Sequence, residues 1–262
     1  MTDSVSTTNL QQSNEKKPTG SRFMSVLLVL FMGYILLSIP MMLLGMLVGF
    51  QVDDDMSSST WVWWLIAIIY VGVTYLICKW VWRTYKKRAY EDYTQKIRKR
   101  DGWINIAFAA GLRVLVFVGS YSMIAIYGED MSANDKALFE ALGIDKLSDI
   151  NVTALLVISI IIFLIHITFV APFLEELIFR GMFKERVFRQ HAFWLPLIIS
   201  SIIFGMAHMG GNVIASLMYI GLGVIMYLAY NRRGNIKDSM MVHMINNGVA
   251  SISIIVIIFT SL

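Results

Sequence analysis

"ALLVISIIIFLIHITFVAPFLEELIFRG", residues 154–181, has no Asp, Glu, Lys or Arg before Glu175; then Glu175, Glu176 and Arg180 follow within six positions. The apolar opening has the length and composition of a transmembrane helix, because about 20 such residues cross a hydrocarbon core of about 30 Å. The charges that end it are costly in that setting and mark a functional suspect. From 151 to the basic turn near 184 the run is too long for one upright crossing. Pro172 suits a first helical turn and disrupts an interior one, so a kink or a second helical piece is expected there. A helix starting at Pro172 would turn its positive end toward the glutamates.

Outward from this stretch the chain repeats the pattern. Apolar segments fall at 23–50, 61–82, 102–127, 151–171, 192–209, 213–230 and 239–261. Of 262 residues 57% are hydrophobic and 15% charged, and mean hydropathy is positive. The fold class expected is all-α, a polytopic transmembrane bundle of seven to eight spans. It divides into a polar tail at 1–22, N-terminal spans at 23–150 and a core at 151–262. Cys78 is the single cysteine, which excludes an intrachain disulfide and a cysteine-based metal cluster. Gly45 and Gly49 form a GxxxG pattern, a spacing that allows close helix packing but is common. There is no internal repeat of the transporter kind.

The net charge of +4 reflects topology, and no nucleic-acid partner is expected. Lys16, Lys17 and Arg22 precede the first span. A cluster at 83–101 holds Arg83, Lys86, Lys87, Arg88, Lys96, Arg98, Lys99 and Arg100. Lys184, Arg186 and Arg189, then Arg232, Arg233 and Lys237, mark two further basic turns. The segment 51–60 carries three aspartates and no Lys or Arg, and 128–150 is acidic. Basic and non-basic loops alternate, which predicts an integral membrane protein with a cytoplasmic N-terminus and an external C-terminus.

Helix geometry sorts the polar residues of the second half. Glu176 and Arg180 lie four apart and share a face, so they can pair; Glu175 points about 100° away and lacks that partner. His243 and Asn247 are again four apart. Counted from the turn at 189–191, Glu175 and His208 rise to similar heights of roughly 20–25 Å, with His243 expected lower. Arg113, His166 and His191 show no partner pattern.

Three motifs then stand in order: EExxxR in "EELIFR" (175–180), FxxxH in "FGMAH" (204–208) and HxxxN in "HMINN" (243–247). Over roughly residues 165–250 the sequence resembles the CPBP family, also called the Abi or CAAX-protease family, of intramembrane endopeptidases, a group that includes the Ras-converting type of CAAX prenyl protease. The resemblance implies catalytic roles for Glu175, Glu176, Arg180, His208, His243 and Asn247. Glu175 and His208 would activate a water, His243 and Asn247 would stabilise the oxyanion, and Glu176 with Arg180 would organise the site. The implied substrate is a peptide or protein in or at the bilayer, and the implied location is a bacterial cell membrane. No cofactor is required on this reading. The alternative is zinc held by Glu175, His208 and His243, although no HExxH is present. Two other readings stand beside it: bacteriocin self-immunity or peptide sequestration on the same scaffold, and transport.

Overall fold

The computed structural model describes residues 22–52, 60–87, 89, 92–144, 152–189, 191–208 and 211–261. The polar tail before Arg22 and the three aspartates of the first loop lie outside them, as do Arg88 and residues 145–151 of the acidic loop. Every regular element among the described residues is helical. These are α1 (Arg22–Val52), α2 (Thr60–Lys86), α3 (Lys99–Tyr127) and α4 (Ala133–Ala141), then α5 (154–187), α6 (Trp194–Ala207), α7 (Val213–Arg233) and α8 (Ile236–Ser261). Six of the helices are long and apolar enough to cross a membrane, and α6 is a shorter apolar helix. The protein is a polytopic helical membrane protein. Large apolar side chains such as Phe31, Trp61, Phe117 and Phe259 stand exposed on these helices, as a lipid-facing surface requires.

The expectation of a break at Pro172 meets a different solution. Residues 154–187 form one helical path of 34 residues that contains two π-helical stretches, His166–Val170 and Leu177–Met182. In an α-helix the Pro172 ring would strike the carbonyl of Thr168 and leave a carbonyl without its donor. Here the ladder changes register one turn earlier: the Ala171 N–H donates to the His166 carbonyl, five residues back. Pro172 then falls at the start of an α-helical piece, Ala171–Glu176. A π-bulge lets the chain stay helical through proline, so the crossing bends its hydrogen bonds and does not end.

The core forms around the second π stretch, of which every residue from Leu177 to Met182 is buried. Gly181 accepts the Tyr85 ring of α2; a Cβ there would lie 2.7 Å from Tyr85 Cδ2. Two glycines set the closest helix pair. A Cβ on Gly205 of α6 would meet the Ile220 backbone nitrogen at 2.9 Å, and one on Gly223 of α7 would meet Ser201 Cα at 2.9 Å. The α6 and α7 backbones therefore touch, as small residues permit in lipid. The GxxxG pattern plays no such part, since nothing lies within 4 Å of a Cβ at Gly45 or Gly49.

Candidate active site

Three helices bring the polar residues together. The central piece of α5 carries Glu175 and Glu176, the second π stretch carries Arg180, His208 caps the C-terminus of α6, and α8 carries His243 and Asn247. Glu176 and Arg180 are both fully buried, with Arg180 Nη1 3.2 Å from Glu176 Oε1. The guanidinium also donates from Nη2 to the Gly223 carbonyl at 3.2 Å and lies 4.6 Å from the Phe204 ring centroid. That aromatic face offers the cation a partner where water is excluded.

His243 bridges the two glutamates. Its Nδ1 lies 2.9 Å from Glu176 Oε1, and its Nε2 lies 3.8 Å from Glu175 Oε2. Arg180 keeps Glu176 a carboxylate, so His243 Nδ1 is the donor of that bond and Nε2 is left facing Glu175. His208 is arranged alike. Its Nδ1 lies 2.8 Å from the Phe204 carbonyl, which only accepts, so Nδ1 donates and Nε2 is turned to Glu175 Oε2 at 3.8 Å. Glu175 Oε2 is buried and has no hydrogen-bond partner among the described residues. One carboxylate oxygen thus faces two imidazole nitrogens across gaps wider than a hydrogen bond. A water about 2.8 Å from both Glu175 Oε2 and a histidine Nε2 would fit such a gap.

Sequence geometry anticipated the Glu176–Arg180 pair and the freedom of Glu175. His243, expected lower, reaches the same carboxylate oxygen as His208. Asn247 has a partner that its motif does not disclose. Pro172 has no N–H and Ala171 donates to His166, so the Ile167 carbonyl lacks a main-chain donor; Asn247 Nδ2 supplies one at 2.8 Å. Asn247 Oδ1 in turn accepts from Asn246 Nδ2 at 3.1 Å, and Arg113 Nε donates to Asn246 Oδ1 at 2.9 Å. Arg113 therefore joins the polar layer behind the site. His166 sits apart, 3.0 Å from the Tyr70 hydroxyl, and His191 is exposed.

Sequence reasoning missed Tyr219, whose ring stacks on His208 with centroids 5.1 Å apart and planes at 21°. Nothing but a tyrosine inside an apolar span signalled it. Among the described residues no group of three or more His, Cys, Asp or Glu side chains is arranged to hold a metal ion.

Comparison with known proteins finds two matches. Residues 150–249 match the family model described as type II CAAX prenyl endopeptidase Rce1-like. The chain is similar to the membrane-embedded CAAX protease MroQ of Staphylococcus aureus (strain USA300), 33% identical over 106 residues, which is 37% of this chain and 42% of that protein. The chain thus matches less than half of that relative's length. No solved structure matches it. Through residues 150–249, which contain all three motifs, the chain is similar to the Rce1-like type II CAAX prenyl endopeptidases.

Proposed function

We propose that this protein is an intramembrane endopeptidase that hydrolyses a peptide bond of a membrane-associated or lipophilic peptide or protein. The observation that carries the reading is Glu175 Oε2, buried, without a hydrogen-bond partner among the described residues, and 3.8 Å from both His208 Nε2 and His243 Nε2. A water held between Glu175 and His208 gives up a proton to this pair as its oxygen attacks the scissile carbonyl carbon. The carbonyl oxygen becomes an oxyanion. The C–N bond then breaks, and the proton passes to the leaving amine.

His243 and Asn247 stabilise the oxyanion. With Nδ1 donating to Glu176, His243 donates from Nε2 as an imidazolium. Asn247 has a second amide N–H beyond the one it gives to Ile167. Zinc chemistry would instead draw Glu175 Oε2, His208 Nε2 and His243 Nε2 to within about 2.0–2.2 Å of one point. The proposed route uses no metal. In the proposed orientation the N-terminus is cytoplasmic and the C-terminus external, in a bacterial cell membrane.

Chelation tests the mechanism. Purified protein, reconstituted and exhaustively chelated, should cleave at its original rate. Loss of cleavage on stripping and recovery with zinc would replace the metal-free route. Glu175→Gln should abolish cleavage while the protein still inserts and melts as wild type. Cleavage that survives this substitution would remove Glu175 from the role.

A further inference from the structure

The family match begins at residue 150, yet the segment that precedes it reaches the site. The loop and helix start at 128–135 are joined to the stretch that follows His208 at three places. Asn212 Nδ2 donates to Glu129 Oε2 at 2.7 Å. Gly211, at φ 84°, lies so close to Ala133 that an added Cβ would stand 2.9 Å from the Ala133 Cβ. The third junction is Tyr219, buried at 6% exposure, whose hydroxyl lies 3.0 Å from Ser132 Oγ and 3.4 Å from Asp135 Oδ1.

The direction of that hydrogen bond follows from the capping box that starts α4. Ser132 Oγ gives its one proton to Asp135 Oδ2 at 2.7 Å and accepts from the Asp135 N–H at 3.1 Å. With the Ser132 proton so engaged, the Tyr219 hydroxyl is the donor, its one proton shared between Ser132 Oγ and Asp135 Oδ1. The other end of the side chain is the ring that lies on His208. His208 also meets Phe204, with centroids 4.2 Å apart. The imidazole touches two aromatic rings, one of them tethered at its hydroxyl to a helix cap. Contact of the α6 and α7 backbones at Gly205 and Gly223 brings these residues within reach of each other.

We propose that Tyr219 is a positioning residue for His208. Its ring fixes the imidazole plane so that Nε2 stays aimed at Glu175, and Ser132 and Asp135 fix the ring. The proposal deepens the protease reading, because it rests on His208 belonging to the reacting group. It also assigns to residues 128–135, outside the family match, a part in the geometry of the site. Misplacement of a reacting group by about 1 Å can cost on the order of 10²-fold in rate. A tilt of one ring should cost less.

The test reads His208 directly. The chain has four histidines, so ring-13C-histidine labelling in detergent gives few signals, and His208→Gln identifies the one in question. Tyr219→Leu should remove the ring-current shift of the His208 signal and broaden it, with the His166 signal unmoved and the melting temperature close to wild type. Tyr219→Phe keeps the ring and should leave the signal near its place but broader. Ser132→Ala added to Tyr219→Phe should change it no further, since both remove the same bond. A His208 signal of wild-type position and width in Tyr219→Leu overturns the proposal. In cells, accumulation of Glu175-dependent cleavage products should slow about 10-fold in Tyr219→Leu and be largely restored in Tyr219→Phe; wild-type rates in both variants would equally overturn it. Absence of any Glu175-dependent product would instead sink the protease reading, and the histidine signals would still decide the stacking.

Discussion

Two adjacent glutamates with opposite surroundings organise the site. Glu176 meets Arg180 and His243 and has no exposure; Glu175 keeps 15% exposure and an oxygen without a hydrogen bond. The same conservative change should therefore act differently at the two positions. Glu176→Gln strands the Arg180 charge in the core and should cost about 3–5 kcal/mol of stability, the usual penalty for breaking a buried pair. Glu175→Gln should leave the melting temperature close to wild type and stop turnover. Thermal melts of the two variants in one detergent measure the contrast. Equal melting temperatures, with activity lost only in Glu176→Gln, would reverse the assignment. Asn247→Ala should both destabilise by about 1–3 kcal/mol, through the Ile167 carbonyl left without a donor, and slow turnover by about 10²–10³-fold. A variant of wild-type stability would show that the carbonyl finds another donor.

At the scale of helices, the backbone decides which small residues matter. Gly205→Ala must push Ile220 away from α6 and should cost about 1–3 kcal/mol. Gly45→Ala faces open space and should be neutral or stabilising by up to about 1 kcal/mol. Comparable losses for both would contradict the packing described for α6 and α7. The apolar periods and motif spacings made most helices and the Glu176–Arg180 pair legible in the sequence. They could not disclose the π-bulges, because a shift from four to five residues per hydrogen bond depends on what packs around the helix. The meeting of His243 with Glu175 was hidden for the same reason: heights counted at 1.5 Å per residue assume upright straight helices. Arg113 showed no partner pattern and Tyr219 drew no notice because their partners, Asn246 and Ser132, lie far along the chain.

For the whole molecule, the bilayer fixes which loops face which side. The basic turns predict that α4 lies outside the cell. Ser132 is buried, so Ala137, which is exposed, is the better probe. A cysteine placed there in a Cys78→Ser background should react with an impermeant reagent in intact cells. Protection in cells, with labelling only in inverted vesicles, would turn the protein over.

On the proposed function, Glu175 makes this membrane protein a protease. The most direct measurement compares the peptide termini of membranes from cells carrying wild type and Glu175→Gln at equal expression. New termini, on membrane-associated peptides or proteins, should appear with wild type and be missing with the variant. Identical terminus profiles from the two membranes would contradict the account.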